Sequence, residues 1–142
     1  MNFSTEKTIQ REIKKQQEKE ETEKVLNQFI PYYYSLLNDQ KFEELIKFYK
    51  QFTEIVFEGN YYKGEELQNL FNLIITSNIK FEIKSFDYLM SGNHRMNILV
   101  TGVITVNHTT TKNFSEYLHF GKCKDKKNES GYWIQSSIFK AI

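Results

Sequence analysis

The chain has 142 residues, with 19 Lys plus Arg against 18 Asp plus Glu, and one cysteine, Cys123. That length suits a single domain, and a chain of this size buries roughly 68–70% of its unfolded surface, enough for a core without disulfide or metal staples. A net charge of +1 gives no global field to draw in nucleic acid or an anionic membrane, and a lone cysteine forms neither an internal disulfide nor a cysteine zinc cluster, as expected in a reducing compartment.

The opening MNFSTEKTIQREIKK has no apolar run of the secretory kind. No stretch approaches the ~18 apolar residues of a membrane span. The expected location is therefore cytoplasm, nucleus, or both. Ser4 to Lys24 is rich in Lys, Glu and Gln, all good helix formers. Its six acidic and six basic side chains cancel. Residues 1–24 read as a polar helix or leader, and 25–142 as the folded domain. Val25, Leu26, Phe29 and Ile30 begin an apolar stripe. Pro31 removes a backbone donor and is expected to kink or restart the helix. Tyr33, Tyr34, Leu36 and Leu37 continue the stripe to Asn38-Asp39.

Phe42, Leu45, Ile46 and Tyr49 recur at i, i+3, i+4 and i+7, which predicts a second amphipathic helix. Thr53 to Phe57 reads as a short strand, followed by a turn at Gly59-Asn60. Gly64 precedes a third helix carrying Leu67, Leu70, Phe71 and Ile74. From Ile79 the period changes to two. Ile79, Phe81 and Ile83 share one phase, and Phe86, Tyr88 and Met90 the other, so a β-bulge is expected near Lys84–Phe86. Met96, Ile98, Val100, Ile104 and Val106 then form the core face of a long strand, with Leu99, Thr101, Val103 and Thr105 opposite. Phe114–Phe120 and Tyr132–Phe139 complete four long strands, the last two joined by the polar loop Lys122–Ser130. Helices first and consecutive strands after imply an α+β domain with an antiparallel sheet. A half-apolar outer sheet face suggests a partner protein or a second copy of the chain.

The Tyr33-Tyr34 pair, Phe48-Tyr49, Phe57-Glu58-Gly59, Gly64, Asp87, Gly102, Phe114 and the closing Ser136-Ser137-Ile138-Phe139-Lys140 occur in an order that resembles the nuclear transport factor 2-like family. The resemblance runs from about Val25 to the C-terminus. It implies a cone of three helices on a strongly bent antiparallel sheet. Two transport branches look closest. In the Ran carrier, a homodimer, an acid matches Glu58, and further carboxylates follow the long strand. Here that turn reads Asn107-His108-Thr109-Thr110, without an acid, and the acid before the closing Phe is replaced by Ser137. Ran binding is therefore not expected. The other branch is the small subunit of the mRNA-export receptor. It pairs sheet face to sheet face with an NTF2-like domain of the large receptor and supports binding of nucleoporin Phe-Gly repeats. The resemblance to this branch implies a non-enzymatic factor of nucleus, cytoplasm and nuclear pore. Strand alternation assigns Leu99, Thr101, Val103, Tyr117, His119 and Lys140 to the partner-facing side.

The same scaffold also houses small-molecule isomerases and dehydratases, for which Asp87, Tyr88, His94, His108 and His119 are the available acids and bases. Asp87 reads either as a cavity carboxylate hydrogen-bonded to a phenol or as an acceptor for backbone donors at the bulge. No His-x-His, HExxH, Gly-rich phosphate loop or Gly-x-Ser-x-Gly occurs, so metal, nucleotide-cofactor and acyl-transfer chemistry have no support. Lys122–Lys127 is basic enough to touch RNA phosphates, but it has no aromatic residue to stack bases. RNA contact is thus expected to be indirect or weak.

Overall fold

The computed structural model describes residues 3–91, 95–122 and 132–142. The chain divides into two compact units, Met1–Tyr33 and Tyr34–Ile142. The first unit is helical through its described residues. Helix α1 spans Phe3–Asn38, so its last turn belongs to the second unit. Thr8 and Thr22 donate to the carbonyls of Ser4 and Glu18 at 2.9 and 2.8 Å, and the Gln16 amide donates to Glu20 at 3.2 Å. Ile9 and Ile13 stay exposed. Pro31 lies inside α1 without ending it, so of the expected kink or restart, the restart does not occur. The proline ring and Asn27, whose carbonyl loses its donor, are both exposed, so solvent can satisfy that carbonyl and the helix continues.

In the second unit the last turn of α1 is followed by α2 (Phe42–Leu45) and a 3-10 turn, Ile46–Phe48. Strands β1 (Tyr49–Phe57) and β2 (Asn60–Lys63) come next, then a 3-10 turn at Gly64–Glu66 and α3 (Leu67–Thr76). Strands β3 (Ile79–Met90), β4 (Arg95–Val106), β5 (Thr110–Lys122) and β6 (Tyr132–Ala141) complete the chain. The expected second helix is only a turn long. Tyr49 leaves the helical region (φ −105°, ψ 150°) and joins β6 opposite Ile134, so a long-range strand pairing overrides the local helical period. Strand β2 was not anticipated. Its hairpin turns on Glu58 and Gly59, both at positive φ (51° and 82°), as a two-residue type I′ connection requires.

The sheet corrects the expected architecture. Its order is β2-β1-β6-β5-β4-β3. Strands β3 to β6 form an antiparallel run, but β6 pairs parallel with β1, so the sheet is mixed rather than antiparallel. It is also open, with β2 and β3 at its edges, and is not the strongly bent cone that the resemblance implied. Hairpin alternation fixes neighbours that follow each other in sequence. It carries no information on where β1 inserts, because that pairing closes over most of the domain.

Helices and sheet share one inner face. Leu67, Leu70, Phe71 and Ile74 form the buried stripe of α3. Met96, Ile98, Val100 and Ile104 form the buried face of β4, the side the alternation assigned to the core. The bulge in β3 falls between Ile83 and Ser85, within reach of the expected position. Gly102 lies opposite Ile83, and a Cβ there would stand 2.1 Å from the Glu82 carbonyl and 2.8 Å from the Phe114 ring. Only glycine lets the irregular strand and that ring close together. The Asn38 side chain donates to the Phe81 carbonyl at 2.8 Å and accepts its N–H at 2.7 Å, tying the end of α1 to edge strand β3.

Candidate functional site

Two sites stand out, one on each face of the sheet. On the outer face, register places five apolar side chains in one row. Tyr61 on β2 pairs with Val56 on β1, Val56 with Ile138 on β6, Ile138 with Tyr117 on β5, and Tyr117 with Leu99 on β4. Tyr61, Ile138, Tyr117 and Leu99 are 51%, 54%, 41% and 45% exposed, and Val56 is half-buried. An apolar row across five of the sheet's six strands differs from the scattered apolar residues every surface carries. Polar rows flank it. Ser85 and Thr101 share a hydroxyl hydrogen bond of 2.6 Å, with Ser115 and Lys140 continuing that row. On the other side Asn97, His119, Ser136 and Glu54 stand in register.

The sequence-assigned residues take these positions. Leu99 and Tyr117 are in the apolar row, Thr101 and Lys140 in the hydroxyl row, and His119 in the opposite polar row. Val103 lies half-buried between Glu82 and Asn113. His119 Nδ1 is 2.5 Å from Asn97 Oδ1. Partial burial, and then the Arg95 guanidinium, pull the imidazole below its ordinary pKa. Ile138, Val56 and Tyr61 were missed. Ile138 and Phe139 are adjacent apolar residues, so alternation alone does not say which faces out, and Tyr61 belongs to the unanticipated strand.

On the inner face lies a carboxylate that the sequence reading did not single out. Glu116 is buried on β5 between Phe114 and Leu118. The Tyr34 phenol, from the last turn of α1, donates to its Oε1, and the Ser137 hydroxyl, from β6, donates to its Oε2 at 2.6 Å. Rings enclose the group. Phe114 stacks on Phe139 at 4.9 Å, Phe81 meets both edge-on, and Tyr34 touches Phe81 and Phe114 at 5.9 and 6.1 Å. Burial raises the Glu116 pKa, against the opposing pull of the two donated hydrogen bonds. Burial and the adjacent carboxylate raise that of Tyr34 well above the ordinary phenol value. The signal was present in the sequence: Phe114, Glu116, Leu118 and Phe120 share one phase, and an acid in an apolar phase is a buried-acid candidate.

The carboxylate–phenol pair considered for Asp87 therefore exists, but at Glu116. Asp87 is exposed, and it sits beside Leu99 at the end of the outer row. The bulge upstream reverses the phase of β3 and turns Asp87 away from the core. Tyr88 takes the other phase and is half-buried. Glu58 completes the β1–β2 turn, where its N–H donates to the Phe139 carbonyl at 3.1 Å and its carboxylate accepts the Ala141 N–H. The acid-free turn is a three-residue connection, Asn107 to Thr109, with Asn107 and His108 at positive φ. His108 contacts the Asn78 amide. His94 and the loop residues 123–131 lie outside the described residues.

An open mixed sheet, with helices on one face and an exposed apolar row on the other, defines an α+β scaffold. The nuclear transport factor 2 (NTF2) domain model matches residues 25–141, and the chain belongs to that family. No curated protein sequence matches it significantly. Among solved structures it is similar to nuclear transport factor 2 from Cryptosporidium parvum, with 20% identity, a TM-score of 0.68, and coverage of 84% of this chain and 94% of that one. It is also similar to the yeast UBP3-associated protein BRE5 (18% identity, TM-score 0.69, 85% and 96% covered). A putative scytalone dehydratase from Novosphingobium aromaticivorans is equally alike in fold (10% identity, TM-score 0.70, 85% and 84% covered). Identities this low establish the shared fold alone.

Proposed function

We propose that the protein is a non-enzymatic nucleocytoplasmic transport factor, the small subunit of a heterodimer with the large mRNA-export receptor. The observation that carries this reading is the apolar row Tyr61–Val56–Ile138–Tyr117–Leu99 across the outer face. A flat apolar row with hydroxyl and amide rows on both sides suits another sheet face of the same kind, namely the NTF2-like domain of the receptor. Burying the row removes apolar surface from water at about 25 cal/mol per Å² before the cost of association. The flanking Thr101, Ser115, Asn97 and His119 supply the polar rim that fixes register. Through that pairing the heterodimer supports binding of nucleoporin Phe-Gly repeats at the nuclear pore, and the protein works in both nucleus and cytoplasm.

Two features weigh against the alternatives. The turn at Asn107–Thr109 carries no acid, and Ser137 stands where the Ran carrier has one, which disfavours a Ran carrier. Glu116 is buried among aromatic rings and holds hydrogen bonds from Tyr34 and Ser137, the setting of a structural carboxylate, which disfavours an isomerase or dehydratase. The chain also has no described helix long and apolar enough to cross a membrane. Affinity purification from source cells with mass spectrometry tests the proposal. A large receptor bearing its own NTF2-like domain is the expected partner, and its recovery should be lost with Tyr117→Glu. Recovery of GDP-bound Ran without such a receptor would overturn the reading.

A further inference from the structure

The apolar row on the outer face ends in a charge. Asp87, on edge strand β3, stands opposite Leu99 and is exposed. Leu89 follows two residues later in the same phase and is 74% exposed, against 45% for Leu99. Residues two apart on a strand are separated by about 6–7 Å, and directly opposed ones by about 5 Å. The carboxylate therefore lies between two open leucine side chains. Two other acids placed on this face by register are engaged, Glu82 with Lys84 at 2.9 Å and Glu54 with Lys63 at 3.5 Å. Asp87 is in none of the ion pairs found among the described residues.

The bulge in β3 produces this placement. Upstream of it the odd-numbered residues face inward, and Ile79 and Phe81 are buried. The extra residue between Ile83 and Ser85 reverses the phase and turns Asp87 out. A charge on an edge strand can serve to discourage strand pairing, but exposed leucines on both sides of it work against that use. A carboxylate framed by apolar side chains matches a cation carried on an apolar stem. Arginine answers this description. Its methylenes can cover the leucines while the guanidinium stays at the polar end, and its planar fork takes both carboxylate oxygens. Lysine is a more strongly hydrated point charge and is covered less readily. The chain cannot supply the arginine to itself at this point: Arg95 is four residues from Leu99 on β4, about 13 Å along the strand.

We propose that Asp87 is the charged anchor of the outer face, paired in the heterodimer with an arginine of the receptor's NTF2-like domain whose stem lies on Leu89 and Leu99. This inference rests on the sheet-face pairing proposed above and adds to it the chemistry of one partner residue. Asp87 is continuous with the apolar row, so covering the row takes the pair out of water. Removing the carboxylate then leaves the arginine covered and unpaired, which weakens binding more than the loss of a solvated rim pair does.

The test is calorimetric titration of the full chain with the recombinant NTF2-like domain of the receptor. Asp87 is exposed, so its variants should unfold as the wild type does. Asp87→Asn keeps the shape and removes the charge. Binding is expected to weaken about tenfold or more, and the loss should persist in about 0.5 M salt, where a rim pair is screened. Asp87→Arg should weaken binding further. Glu82→Gln, at an acid of the same strand already paired with Lys84, should leave it unchanged. One receptor arginine should be protected from p-hydroxyphenylglyoxal in the wild-type complex and lose that protection in the complex with saturating Asp87→Asn. Wild-type affinity in Asp87→Asn, alongside loss of binding in Tyr117→Glu, would overturn this inference and leave the sheet-face reading standing. An equal loss in Glu82→Gln, or no protected arginine, would overturn it too. So would a dimer of the chain alone that sedimentation shows to dissociate with Asp87→Asn, because a second copy would then occupy the site. Absence of binding by the wild-type chain would overturn both readings.

Discussion

Glu116 and Tyr117 are neighbours on β5, and they invert the usual assignment of polar and apolar residues. The carboxylate points inward and is buried, whereas the large aromatic ring points outward and is 41% exposed. A buried charge is tolerated only where partners satisfy it, and Glu116 has a phenol and a hydroxyl directed at it from two other elements. An exposed ring in a row of apolar neighbours is tolerated where something covers it. The inner site thus concerns how the domain holds itself together, and the outer face, in the proposed function, concerns what it holds on to. Substitutions at adjacent residues should separate these two roles.

The largest effect is expected at Glu116. Glu116→Ala removes the carboxylate to which two buried hydroxyls donate, at about 1–3 kcal/mol apiece, so urea unfolding should show a loss of roughly 2–6 kcal/mol. Tyr117→Ala should do the opposite. Its effect on stability should stay within about 0.5 kcal/mol, as for an exposed position, while association with the partner domain weakens by about 2 kcal/mol or more, as for an aromatic anchor. If Tyr117→Ala unfolded the domain and left association intact, the division between the faces would fail.

Tyr34→Phe comes next, with an expected loss of about 1–3 kcal/mol from one unpaired carboxylate oxygen. The pH dependence sharpens the same point. Glu116 has its pKa raised by burial, so the folded chain retains this proton where the unfolded chain has released it. Its contribution to stability is complete below the ordinary carboxylate pKa and is lost as pH rises through the raised folded value. Glu116→Gln, which stays neutral, should flatten that decline in a series of unfolding curves across the window. An unchanged slope would mean that another group carries it.

How much of this was legible follows from which interactions are local. The stripe of α3, the core face of β4 and the bulge in β3 each depend on residues a few positions apart, and periodicity finds them. The parallel pairing of β1 with β6 joins Val56 to Ile138, and no local pattern encodes it. The same pairing explains two misses: the second helix stops at Tyr49 because that residue is drawn into the sheet, and the apolar row extends to Val56 and Tyr61 because β1 and β2 continue the face. Asp87 reads from the sequence either as a cavity carboxylate or as an acceptor at the bulge, and the phase change between Ile83 and Ser85 puts it on the exposed side. A bulge is readable from a phase change, but the facing of the residues beyond it depends on its placement to within one position. Glu116 was legible as an acid in the apolar phase of Phe114, Leu118 and Phe120.

Lys140 is where the smallest effect is expected, and it marks the edge of the outer site. It is exposed, pairs with Ser115 at the end of the hydroxyl row, and faces solvent rather than the apolar row. An ion pair at such a rim is worth about 0–1 kcal/mol, because solvent and salt screen it and its long side chain loses freedom when held. Lys140→Ala should therefore leave unfolding unchanged and weaken association by less than about fivefold, with the difference shrinking as salt is raised. Calorimetric titration at two ionic strengths checks this. A loss as large as that from Tyr117→Ala would move the energetic centre of the interface from the apolar row to its charged margin, and the comparison between the two faces of β5 would then describe only half of the surface that binds.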